Sequence, residues 1–160
     1  MLRRSLIALA ILVMLPAAAS AGSFTYFGPQ LGFSQGPDQF VVGGHLKWNT
    51  VAPSLDFVPG VEAGFGSNFS LVSLNGDFHY KISSGTKWQP YVGAGVGMHF
   101  SSTDNSFGNT SSSASATGGH FIIGAGVPTR GSARFFTEVK LGFGDSPDMK
   151  VMAGWNYRAR

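Results

Sequence analysis

From residue 24 onward, apolar and polar residues alternate with a period of two, and short clusters of turn-forming residues interrupt the alternation. That period places successive side chains on opposite faces of an extended strand. It predicts eight strands, at about 24–33, 39–49, 54–66, 69–81, 88–101, 119–128, 133–144 and 149–158. The breaks between them carry turn chemistry, among them Ser34-Gln35-Gly36-Pro37-Asp38, Ala52-Pro53, Ser83-Ser84-Gly85, Arg130-Gly131-Ser132 and Asp145-Ser146-Pro147-Asp148. Helical spacing is hard to find, and glycine recurs every few residues, which disfavours helix interiors. The run Ser101–Gly119, rich in Ser, Thr, Gly and Asn, reads as a mobile loop between the fifth and sixth strands.

The two faces differ sharply in composition over the last four strands. One carries Val92, Val96, Met98, Phe121, Ile123, Val139, Leu141, Phe143, Val151 and Trp155, and of its nineteen positions only Thr137 is not apolar. Of the nineteen positions on the other face, seven are Gly and eight are polar or charged. Glycine is disfavoured on the solvent face of a soluble barrel. It is expected where a narrow interior has no room for many large side chains. The apolar face is therefore expected to point outward into lipid and the small or polar face into a barrel interior. Strands of about ten residues match the length needed to cross a bilayer at a tilt, and closure satisfies every backbone group. The chain is read as an all-β, eight-stranded antiparallel transmembrane barrel of the outer membrane. If residue 22 begins on the periplasmic side, 101–119 falls outside, and the turns after strands two, four and six are expected to be short.

The N-terminus adds a processing signal. Arg3 and Arg4 precede the apolar run Leu6–Leu15, then Pro16 and Ala17-Ala18-Ala19-Ser20-Ala21, the layout of a cleavable signal peptide. Ten apolar residues are too few to cross a hydrocarbon core about 30 Å thick as a helix. Residues 1–21 are thus expected to be removed, leaving a barrel domain at 22–160. The chain has 11 Lys and Arg against 8 Asp and Glu, and two of the 11 lie in this leader. The remainder is close to neutral, which gives no basis for binding nucleic acid. With no cysteine, disulfides and thiolate metal sites are unavailable.

Two segments resemble a known family. Gln89-Pro90-Tyr91-Val92-Gly93-Ala94-Gly95-Val96-Gly97 is similar to a Pro-Tyr-x-Gly-x-Gly-x-Gly strand of small opacity-type and attachment-type outer-membrane barrels. Phe135–Phe143, a short acidic loop and Val151–Tyr157 resemble the last hairpin of the same barrels. The family typically ends on an aromatic residue, whereas here Tyr157 is followed by Arg158-Ala159-Arg160. The resemblance implies a barrel handled by the barrel-assembly machinery and specifies neither receptor nor ligand; outer-membrane lipid is the expected partner of the apolar face, and any extracellular partner is expected at the outer loops, Ser101–Gly119 above all.

Candidate chemistry sits on the polar face. Glu62, Glu138, Lys140, Lys47 and His45 are expected to form a structural charge network in the lumen, with Lys150 nearer the outer rim. Buried charges must pair or pay a large desolvation cost. An eight-stranded interior is just wide enough for its own side chains, so a plug is favoured over an ion path. Asp56 and Lys81 are placed to pair near the periplasmic end. The four histidines, His45, His79, His99 and His120, fall on the interior face without metal-ligand spacing, so neither a metal nor a cofactor is expected. His99-Phe100-Ser101 resembles the His-x-Ser pair of outer-membrane lipid A deacylases. Parity places His99 in the lumen, away from any acyl chain, so catalysis is not expected. The expected function is structural or surface-interacting, in envelope integrity or adhesion. The alternatives are a lipid A acyl hydrolase using His99 and Ser101, and a soluble periplasmic barrel holding a hydrophobic ligand.

Overall fold

The computed structural model describes residues 24–49, 52–67, 69–103, 112–129 and 131–159. The signal peptide expected at 1–21 lies outside them. Eight strands run in order: β1 (Phe24–Gln35), β2 (Gln39–Asn49), β3 (Leu55–Gly66), β4 (Phe69–Lys81), β5 (Gln89–Thr103), β6 (Ser112–Pro128), β7 (Ala133–Gly144) and β8 (Met149–Arg158). Each pairs antiparallel with the next, and β8 returns to β1, closing the barrel. Three predicted strands, at 39–49, 133–144 and 149–158, coincide with β2, β7 and β8.

Side-chain direction follows the alternation throughout. Val96 is 64% exposed and Ile123 61% on the outside, while Tyr91, Ile122, Phe136, Met152, Glu62 and Lys140 are buried within. The exterior is a continuous apolar belt that also includes Phe33, Phe65, Phe121, Leu141 and Val151. At its edges aromatic rings pair across strands, as with Phe33 on Phe40 and Phe135 on Trp155. A soluble barrel holding an apolar ligand would need the reverse arrangement, so that alternative is set aside.

Turns close where the chain offers the right residues. In the β1–β2 turn Ser34 Oγ donates to the Pro37 carbonyl at 2.8 Å, and Gly36 has φ of 64°. In the β6–β7 turn Thr129 N donates to the Ala133 carbonyl at 3.0 Å, with Gly131 at φ 80°. A side chain would be strained at either glycine.

Two expectations are corrected. The segment Ser101–Gly119 is not wholly a loop. β5 continues to Thr103 and β6 begins at Ser112, with Ser101↔Ala114, Ser102↔Ser113 and Thr103↔Ser112 in register. Ser, Thr and Ala carry no apolar alternation, yet the backbone ladder, once started, needs none to propagate. The β4–β5 connection, expected to be short, spans 82–88 and is longer than a tight turn. The two chain ends meet at this same end of the barrel, with Tyr26 opposite Arg158. Outer-membrane barrels keep short turns on the periplasmic side and project their longer excursions outward, so the extended β5–β6 hairpin marks the outer end.

Candidate functional site

The interior face of every strand contributes to a line of polar side chains along the barrel axis. At its centre stands Lys140 of β7. Its Nζ donates to Asp77 Oδ2 of β4 at 2.8 Å and to Glu62 Oε1 of β3 at 3.2 Å, and lies 3.7 Å from Glu138 Oε1. Glu62, 1% exposed, also accepts from Lys150 Nζ at 2.6 Å and from Gln30 Nε2 at 3.0 Å. Asp77 Oδ1 lies 2.7 Å from His120 Nε2, and the Tyr91 hydroxyl donates to Glu138 Oε2 at 2.7 Å. These buried charges are thus matched by opposite charges and by hydrogen bonds, the condition for keeping them ionised away from water.

Glycine makes these contacts possible, and strand register shows how. Gly95 of β5 lies between Asp77 on β4 and His120 on β6 in one row of the ladder. Gly124 of β6 lies between Tyr91 on β5 and Glu138 on β7 in another. Next-but-one strands are roughly 9–10 Å apart, so a side chain on the middle strand would stand between the partners. A Cβ on Gly95 would collide with Asp77 Oδ1 and sit 2.7 Å from His120 Nε2; one on Gly124 would collide with the Tyr91 ring. At Gly28 a Cβ would instead collide with the Trp155 backbone carbonyl, so there the missing side chain lets β1 and β8 approach; nearby, His45 Nε2 and Asn156 Oδ1 are 2.7 Å apart.

Of the five residues expected in the network, Glu62, Glu138 and Lys140 converge at the centre. Lys47 instead lies 3.7 Å from Asp56, which also accepts from Lys81 Nζ at 2.8 Å. His45 contacts Asn156 and stands edge-on to Phe136. Asp77, Tyr91, Gln30 and His120 join the network without being expected there. The signal for Asp77 was present, since Ser73, Asn75, Asp77 and His79 form an unbroken polar face along β4.

The suspected His99–Ser101 pair does not assemble. His99 Nδ1 lies 2.8 Å from Ser73 Oγ and its Nε2 3.1 Å from Ser146 Oγ, while Ser101 Oγ donates to the Ala114 carbonyl at 3.3 Å. His99 is buried in the lumen. Among the described residues, no three His, Asp or Glu side chains are grouped so as to hold a metal.

No protein-family model and no curated protein sequence matches this chain. Its fold is shared with solved structures. Neisserial surface protein A is 12% identical, with a TM-score of 0.67 over 85% of this chain and 96% of that one. The N-terminal β-barrel domain of Pseudomonas aeruginosa OprF is also 12% identical, with a TM-score of 0.67 over 87% of this chain and 99% of that one. The Yersinia pestis outer membrane protein Ail is 11% identical, with a TM-score of 0.52 over 84% and 99%. The architecture is that of the small eight-stranded outer-membrane barrels. With its apolar belt and closed polar interior, this chain is an integral protein of the outer membrane.

Proposed function

We infer that the barrel is a non-catalytic platform, closed along its axis by the Glu62–Lys140–Asp77 network, which displays the β5–β6 hairpin at the cell surface for adhesion. The observation that carries this reading is a free strand edge. Pairing between β6 and β7 begins at Gly118↔Gly144, so Ser112–Thr117 is paired to β5 on one side and to no strand on the other, among the described residues. Such an edge is a template for another extended chain, and it carries only Ser, Ala and Thr, small residues that leave the backbone accessible. On this reading lipid covers the apolar belt, and the barrel-assembly machinery handles the chain during insertion. Catalysis is disfavoured because His99 is occupied by Ser73 and Ser146 in a packed interior, where no acyl carbonyl reaches attacking distance.

The test compares cells expressing the full chain with cells expressing a variant whose β5–β6 hairpin is shortened to a tight turn joining Gly97 to Gly118, cross-strand partners at the level where β6–β7 pairing begins. Attachment to a cultured epithelial layer should fall to the level of cells lacking the protein, while detergent resistance stays unchanged. Unchanged attachment with lost detergent resistance would move the role from the hairpin to the barrel and envelope integrity. Lipid A from cells with and without the protein should give identical mass spectra; loss of an ester-linked chain dependent on both His99 and Ser101 would establish the hydrolase instead.

A further inference from the structure

At the end of the barrel where the chain termini meet, the interior opens into a vestibule of about 260 Å³. Four cationic side chains from four strands line it: Lys47 of β2, Lys81 of β4, Arg134 of β7 and Arg158 of β8. One carboxylate, Asp56, faces them. Asp56 is shared between Lys81 at 2.8 Å and Lys47 at 3.7 Å, and each ammonium has three donors, so neither is exhausted by it. Arg134 Nη2 donates to the neutral Gln89 side chain at 3.1 Å. Neither arginine is paired with a carboxylate among the described residues.

Deeper in, His79 is 4% exposed and stacks on Tyr91 with ring centroids 4.7 Å apart. It lines both this vestibule and a much smaller space of about 10 Å³ beyond it. Neither of its ring nitrogens has a hydrogen-bonding partner. Elsewhere in the lumen, His99 and His120 are each satisfied by neighbours. An imidazole this buried with both nitrogens unmatched is costly unless something binds there. The carboxylates Glu62, Asp77 and Glu138 face the smaller space beyond, whereas on the vestibule side four cations stand against Asp56, so a partner entering from the vestibule is an anion.

We propose that the vestibule is a phosphate-class oxyanion site, in which Arg134, Arg158, Lys81 and Lys47 surround the anion and an N–H of His79 donates to it from below. A tetrahedral oxyanion has acceptors pointing in several directions, which suits donors arriving from four strands; a planar carboxylate would leave some of them unused. The site sits at the periplasmic end, where either a soluble phosphate compound or an anionic lipid headgroup of the inner leaflet could supply the group.

The full-length processed protein is placed in maltoside micelles, which contain no phosphate, and its histidine ring nitrogens are followed by NMR. Inorganic phosphate should shift the His79 signals saturably and leave those of His99 and His120 in place, while sodium chloride at matched ionic strength should not. Arg134→Gln combined with Arg158→Gln should weaken the response about tenfold or more, with retention of fold checked by the mobility difference between unheated and heated samples. Arg158→Gln alone, at an exposed strand end, should weaken it partially if the double variant fails to fold. In a parallel arm, phosphatidylglycerol is added without free phosphate. A response only there assigns the site to a headgroup, and a response only to inorganic phosphate assigns it to a soluble ligand. No saturable shift in either arm, an equal shift with chloride, or undiminished binding by the folded variants would overturn the proposal.

Discussion

Glu62, 1% exposed, accepts hydrogen bonds from Lys140, Lys150 and Gln30, and among the described residues its carboxylate is the only acidic contact of Lys150. Lys140 retains Asp77 if Glu62 is neutralised, but Lys150 retains no carboxylate. Glu62→Gln should therefore cost about 3–5 kcal/mol, the penalty for stranding a buried charge. Replacing Lys150 by Met in the same chain should restore part of it. Urea unfolding in lipid vesicles measures both, and a change below about 0.5 kcal/mol for Glu62→Gln would mean that the lumen screens its charges as a surface does. The identity of these residues as interior was legible from parity alone. Which of them touch was not, because contact across the lumen depends on the stagger of eight strands. Lys47 and Glu138 share a face in the alternation, yet the register sends Lys47 to Asp56 and Glu138 to Tyr91.

A strand in this barrel is defined by what its two faces meet. Val96, at the middle of β5, has Gly76 and Gly119 as its cross-strand neighbours, so its side chain stands clear of other protein and is 64% exposed. Val96→Lys should cost about 2–4 kcal/mol, as expected for a cation near the bilayer midplane. The same vesicle titration measures it, and a neutral result would place water, not lipid, around the belt. The extension of β6 shows the limit of reading elements from periodicity. Residues 112–118 are Ser, Ala, Thr and Gly alone, so no large apolar residue marks either face. Their strand conformation is imposed by pairing with β5, a contact that composition does not report.

For the whole molecule, we propose that the leader expected at residues 1–21 directs export before folding. The intact mass of the protein isolated from its native membrane should correspond to a chain starting at Gly22, with Met1–Ala21 removed; a retained leader would refute the export argument. Closure of the sheet then pairs each strand on both sides within the belt, while the outer stretch Ser112–Thr117 of β6 has no strand partner on its β7 side among the described residues. Alternation by itself determined the number of strands, the side each residue faces and the medium each face meets, because these depend only on the two-residue period and on transfer free energy, both local to the chain. Tertiary structure alone decided which interior charges pair, which glycines lie beneath those pairs, and that four cations gather around an unpartnered His79 at one mouth. Those outcomes depend on the relative register of strands far apart in sequence. Register is set by closing the ring with all eight strands at once, so no single segment encodes it.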